Sequence, residues 1–224
     1  MKSMRKLWFQ PNQAGWDPHS YEWYFGTRLG AAIRVREEEA VFGLLGEVME
    51  PHHSVLEVGS GTGNYTAPLA RRCASVTAVD SSPEMLRYLE ERLSREGLTN
   101  VQIRSGRLPD ELEVTKKFDG VLAVGVLNYV EGLEESLRTF VSALKPGGWA
   151  VFNVPLTTAE GRIYTLQELF GRRRINSLSR EEIVALAERV GLRVEATAPA
   201  GLSRGGLTLV VGAVLQVAPP GGFC

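Results

Sequence analysis

The chain has little cysteine, no long apolar run and almost no net charge, and each shortage closes off a class of function. Its two cysteines, Cys73 and Cys224, stand in no CxxC or Cys/His pattern, so neither a disulfide framework nor a zinc site is expected. Cys73 reads as a small buried hydrophobe and Cys224 as a tail residue. His19, His52 and His53 lack metal-ligand spacing, and no metal ion is expected. A formal net charge of -1 exerts no general pull on nucleic acid or an anionic membrane, so neither is expected as a partner. No run reaches the roughly 18 apolar residues of a membrane span. The longest candidate, LTLVVGAVLQVA, reads as a buried strand. The basic opening MKSMRKLWFQPNQ has no apolar stretch of signal-peptide length, which points to a cytoplasmic protein.

What is present is a regular alternation. Short apolar runs SVLEV, SVTAV, VQIR, FDGVLAVGVL and WAVFNV are separated by helix-like NYTAPLARRC, SPEMLRYLEERLSREG and GLEESLRTFVSALKPGG. Such a beat predicts βαβ units, a parallel sheet and helices on both faces. Ser82 is placed to cap the second of these helices, with Pro83 at its first position and Gly97 at its end. Helix-like SREEIVALAERVG leads into LRVEATAP and then LTLVVGAVLQV across GLSRGG. Two strands joined without a helix form a hairpin, so an antiparallel strand is expected near the C-terminus. Upstream, REEEAVFGLLGEVM has helical spacing and ends at Pro51, while SYEWYFGTRLGAAI is either a short helix or a structured loop. The expectation is one α/β domain over 1–224. It comprises a helical lid (1–50), a ligand-binding core (54–155) and a C-terminal helix with a strand hairpin (156–224).

The first strand runs into a glycine turn, VLEVGSGTGNYT. Gly59, Gly61 and Gly63 allow a sharp bend and the close approach of a ligand. A dinucleotide fingerprint reads G-x-G-x-x-G; here Asn64 occupies the third glycine's place, and no Tyr-x-x-x-Lys pair is present. Asp80 closes the second strand, where a carboxylate can accept from both hydroxyls of a ribose. Glu57 lies inside the first strand and needs a cationic or donor partner if buried. An aminoacyl ammonium would serve; a pyrophosphate would be repelled.

These residues resemble the class I S-adenosylmethionine-dependent methyltransferases. VLEVGSGTG matches that family's first motif, VTAVDSSPEML its second, RSGRLPDEL the segment after the third strand, FDGVLAVGVLNYV the fourth-strand motif and LKPGGWAVFNVP the fifth. The resemblance runs from Ser54 to Pro155, and YEWYFGTRLGAAIRVREEE is similar to the lid of the ubiquinone/menaquinone branch. It implies a three-layer Rossmann-like fold around a mostly parallel seven-stranded sheet, and S-adenosylmethionine as cofactor. Glu57, Gly59, Ser60, Gly61 and Gly63 would floor the methionine portion. Asp80 would hold the ribose, with Ser81 and Met85 beside the adenine. Gly106, Arg107 and Leu108 would border the adenine edge, and Gly125 and Val126 would close the pocket near the sulfonium. Arg107 departs from the small or acidic residue common there.

The implied reaction is methyl transfer to a small-molecule acceptor by in-line displacement, which needs a base only if the acceptor must lose a proton. No catalytic residue is assigned. Tyr21, Trp23, Tyr24 and Phe25 on the lid, and Asn128 and Tyr129 after the fourth strand, are candidates for facing the acceptor or for plain packing. His19 is the best-placed histidine base. Two alternatives stay open: an RNA or protein methyltransferase using a basic track at Lys116, Lys117 and Arg172–Arg174, or a non-catalytic S-adenosylmethionine-binding protein.

Overall fold

The computed structural model describes residues 17–112, 116–158, 162, 175–200 and 210–217. Seven strands form one sheet in the order β3-β2-β1-β4-β5-β7-β6. They are β1 Ser54–Val58, β2 Ser75–Asp80, β3 Val101–Ser105, β4 Phe118–Ala123, β5 Leu144–Pro155, β6 Leu192–Ala200 and β7 Val210–Val217. β1 pairs in parallel with both β2 and β4, so the order reverses between β1 and β4. That is the switch point where open α/β sheets place ligands. β7 lies antiparallel between β5 and β6, as the two-strand ending predicts. The GLSRGG link at 201–206 falls outside the described residues.

Helices cover both faces because successive strand residues point opposite ways. Leu56, Val121, Phe152 and Val154 join Phe140, Ile183 and Leu186 on one side. On that side lie α5 (Leu133–Ala143) and α6 (Arg180–Arg189). Val55, Val76, Leu122 and Val151 join Leu45, Leu69 and Leu89 on the other. There sit α2 (Arg28–Val48), α3 (Thr66–Ala70) and α4 (Pro83–Glu96), with α1 (Pro18–Gly26) packed against α2. The α4 signals work as expected: Ser82 Oγ accepts from Met85 N at 3.3 Å, and Gly97 ends the helix at φ 66°. Ser179 and Glu182 close a reciprocal cap on α6.

Local expectations needed correction in three places. NYTAPLARRC is helical only from Thr66 to Ala70. Asn64 is held out of the helix by its bonds to Thr62 Oγ1 (3.2 Å) and Arg92 Nη1 (3.0 Å). The lid segment is two helices, broken at Thr27, whose hydroxyl accepts from Gly30 N at 3.1 Å and so starts α2. Finally, α5 stops at Ala143 and Leu144 already pairs with Phe118, so β5 begins before the Pro146–Gly147 pair. Among the described residues no helix is long and apolar enough to cross a membrane.

Candidate functional site

The glycine turn leaves β1 at the sheet's carboxyl edge. Gly59, Gly61 and Gly63 all have positive φ, at 76°, 52° and 87°. Two of them are glycine for the protein's own packing. A Cβ on Gly59 would come 2.8 Å from the Val126 Cβ, and one on Gly63 would come 2.5 Å from Leu89 Cδ1. Only at Gly61 would a Cβ point into open space, so this is where a ligand can lie against bare backbone. The turn's amides are already engaged. Gly59 N and Ser60 N donate to Val79 O at 2.8 and 3.0 Å, and Gly63 N donates to Ser60 O at 2.9 Å. Gly61 N donates to Asp80 Oδ2 at 2.8 Å. Four amides spent in this way do not make a phosphate cradle, so the sequence argument against a dinucleotide gains a physical basis.

Asp80 stands at the end of β2 facing that turn. Its Oδ1 accepts from Ser82 N at 2.9 Å while Oδ2 takes Gly61 N, and a carboxylate with these partners and the Ser81 amide keeps capacity to accept further. Burial raises its carboxyl above the usual range, with the Ser82 and Gly61 amides opposing. Glu57, only 3% exposed, lies one strand over. Burial pushes its carboxyl up to about 8, with Thr66 opposing and Asp80 adding to the rise. Its Oε2 has no hydrogen-bond partner among the described residues, and neither does the buried Ser60 Oγ. A buried carboxylate oxygen in that state calls for a cation or a donor.

The lid reaches this turn through side chains that the sequence did not single out. Thr62 Oγ1 donates to Glu22 Oε1 of α1 at 2.5 Å, and Tyr65 donates its hydroxyl to Glu37 Oε2 of α2 at 3.2 Å. Asn153 near the end of β5 donates Nδ2 to Glu37 Oε1 at 2.9 Å and accepts Gly125 N on Oδ1 at 2.7 Å. Arg34 stacks over Phe25 at 4.3 Å and lies 5.7 Å from the Tyr21 ring. Burial lifts the Glu37 carboxyl to about 7, with Tyr65 opposing and Glu38 adding. Sequence carried no signal for Glu37, because it opens a run of three glutamates, Glu37–Glu39, that reads as a solvated stretch of α2.

The remaining expected residues divide. Gly125 follows β4 at φ 71°, and the next residue, Val126, packs against Gly59 of the glycine turn. Gly106 N donates to Asp80 O at 3.1 Å, which sets the segment carrying Arg107 (exposed) and Leu108 (buried) beside β2. Ser81 is exposed next to Asp80, and Met85 is 5% exposed in the first turn of α4. Tyr21 packs edge-on against Phe25 at 4.8 Å, and Tyr24 against the same ring at 5.0 Å. Trp23 is 74% exposed on the outer side of α1, so it faces solvent rather than the cleft, a correction that follows from its place on the helix. Asn128 is buried, its carbonyl accepting Asn176 N at 2.7 Å, and Tyr129 N closes a turn onto Val126 O at 2.9 Å. His19 stacks edge-on to Tyr88 of α4 at 6.5 Å. Lys116 and Lys117 are exposed, whereas Arg172–Arg174 lie outside the described residues.

Residues 55–148 match the family described as "Methyltransferase domain". A ubiquinone biosynthesis O-methyltransferase of Methylobacterium nodulans is 34% identical over 95 residues, 42% of this chain and 38% of that protein. A demethylmenaquinone methyltransferase of Tropheryma whipplei is 38% identical over 94 residues, with the same coverages, 42% and 38%. The matched stretch thus spans less than half of these relatives. Among solved structures, magnesium protoporphyrin IX methyltransferase from Synechocystis PCC 6803, with S-adenosylhomocysteine (SAH) bound, superimposes at a TM-score of 0.69. That pair is 19% identical, and the match covers 87% of this chain and 92% of the other. At that identity the likeness establishes the shared fold.

Proposed function

We propose that this chain, whose residues 55–148 match the methyltransferase-domain family, is a class I methyltransferase that moves a methyl group from S-adenosylmethionine to a small-molecule acceptor in the cytoplasm. The observation that carries this reading is the pair of acids around Gly61. Asp80 keeps capacity to accept beside bare backbone, and Glu57 has a buried oxygen without a partner among the described residues. A ligand with ribose hydroxyls at one end and an ammonium group at the other satisfies both. A dinucleotide supplies a pyrophosphate to a turn in which the amides of Gly59, Ser60, Gly61 and Gly63 are already bonded within the protein. The residues present therefore fit S-adenosylmethionine, whose sulfonium supplies the electrophilic methyl when bound.

In this reading Glu57, Gly59, Ser60, Gly61 and Gly63 floor the methionine portion. Asp80 receives the ribose, Ser81, Met85, Gly106, Arg107 and Leu108 surround the adenine, and Gly125 and Val126 border the sulfonium. The protein's own work is alignment and exclusion of water. The lid helices α1 and α2 close the cleft, and Val126 packed on Gly59 fixes its width. Tyr21 and Tyr24 on the lid, with Asn128 and Tyr129 after β4, are assigned in this reading to the acceptor side. Its smallness as an acceptor is supported by the relatives named for ubiquinone and menaquinone chemistry.

Calorimetric titration of the purified chain with SAH and, separately, with NAD tests the reading. Saturable binding of the first alone is expected. Binding of NAD but not SAH would overturn it.

A further inference from the structure

Glu37 sits mid-way along α2 and grips the core at two points far apart in sequence. Its Oε2 accepts the Tyr65 hydroxyl at 3.2 Å, directly after the glycine turn, and its Oε1 accepts Asn153 Nδ2 at 2.9 Å, on β5. Asn153 is 2% exposed, and its Oδ1 in turn accepts Gly125 N at 2.7 Å. An asparagine amide is nearly symmetric in shape, so its orientation is decided by what each end meets. The Gly125 N–H can only donate, which obliges the amide to present its oxygen there and its nitrogen to Glu37, whose Oε1 accepts it. With the amide reversed, two buried groups would face their own kind, each mismatch costing about 1–3 kcal/mol. Gly125 is held at φ 71°, and the next residue, Val126, fills the space where Gly59 lacks a Cβ. The chain Glu37, Asn153, Gly125, Val126, Gly59 therefore runs unbroken from the lid to the turn under the proposed cofactor.

We propose that Glu37 is a positioning residue of the cofactor site: by fixing the Asn153 amide it holds Gly125 and Val126 against Gly59, and so sets the floor under the aminoacyl end of S-adenosylmethionine. The inference rests on the cofactor reading above and goes beyond it in assigning that end to a lid residue. A plain strut role differs in one respect. A strut lost from the lid loosens every ligand alike, whereas a positioning residue acts on the ligand portion beside the turn it sets.

The probes are SAH and 5′-methylthioadenosine, which share adenosine and thioether but differ in the aminoacyl end. For Glu37→Ala, calorimetry is expected to show SAH affinity falling about tenfold, the worth of one buried hydrogen bond, with methylthioadenosine changing less than about twofold. Asn153→Ala, made from the sheet side in case the lid variant fails to fold, is expected to give the same selective loss. The double variant is expected to lose no more than Asn153→Ala alone, since both act through one amide. Equal losses for the two ligands, no loss for either, or multiplicative losses in the double variant would overturn the proposal. Wild-type protein that binds neither ligand overturns the cofactor reading itself, and this inference with it. Wild type that binds both, with unselective variants, overturns only the inference.

Discussion

At the amino ends of β1, β4 and β5, Asp119 accepts from Ser54 N, Ser54 Oγ and Lys145 Nζ, all within 2.9 Å. Burial opposes the charge there, but Lys145 and Ser54 outweigh it and hold the carboxyl down to about 2. Trp149 donates Nε1 to His53 Nδ1 at 3.3 Å beside it, and Asp119, Lys145, His53 and Trp149, all of them bonded, line the recess of about 460 Å³ at this end. At the carboxyl ends of the same strands the acids behave in the opposite way. Glu57 is lifted to about 8, Glu37 to about 7, and Asp80 is raised. One end of the sheet spends its polar groups on stability. The other buries carboxyl groups whose charged forms are disfavoured there, and leaves Glu57 Oε2 without a partner among the described residues, as functional sites do.

The largest expected effect that sharpens this contrast is at Asp80. Asp80→Ala removes the acceptor of both proposed ribose hydroxyls, and is expected to weaken SAH by on the order of 3 kcal/mol, roughly a hundredfold. Calorimetry at constant pH measures it. An unchanged affinity would show that the ribose lies elsewhere and that the raised carboxyl end is not a ligand site.

Much of this end was legible before any coordinates. VLEVGSGTG and Asp80 announce themselves because the turn's backbone needs glycines and the ligand needs an acid one strand away, both local demands written in consecutive residues. The α4 signals Ser82, Pro83 and Gly97 are local too, and they work as read. What the sequence concealed depends on tertiary placement. Glu37 is one of three adjacent glutamates, and only the packing of α2 on the sheet selects it to meet Tyr65 and Asn153. Asn153 hides in the apolar run WAVFNV for the same reason. Two glycines expected to make room for ligand turn out to make room for Val126 and Leu89, a distinction that no spacing rule contains. The lid aromatics divided similarly: periodicity could not say that Trp23 faces solvent while Tyr21 and Phe25 pack inward.

A smaller effect, expected at Glu57, tests whether its burial is a stored cost. Its carboxyl is raised from 4.5 to about 8, so folding favours the protonated form. Its contribution is fullest below 4.5 and is lost as pH rises through about 8. Glu57→Gln is uncharged at every pH and escapes that loss. Between pH 5 and pH 8 the ligand-free wild type is expected to lose on the order of 2 kcal/mol more than the variant, read from thermal unfolding at both values. Parallel pH profiles would mean that the buried carboxylate already has a partner, and the contrast between the two ends would fail at its sharpest point.

The smallest expected effect comes from the amino end, where the contrast predicts stability without function. Asp119 is lowered from 3.8 to about 2, so its contribution is present above 3.8 and disappears as pH falls through about 2. Lys145 is 47% exposed and Asp119 18%, so solvent screens much of their attraction. Asp119→Asn is therefore expected to cost about 1 kcal/mol at pH 7, a fall of about 2–4 °C in Tm. SAH affinity should not move, because the altered group lies a full strand length from Asp80 and Gly61. A loss of SAH binding larger than the loss of stability would mean that the amino end is coupled to the cleft, and that the division of labour between the two ends is not real.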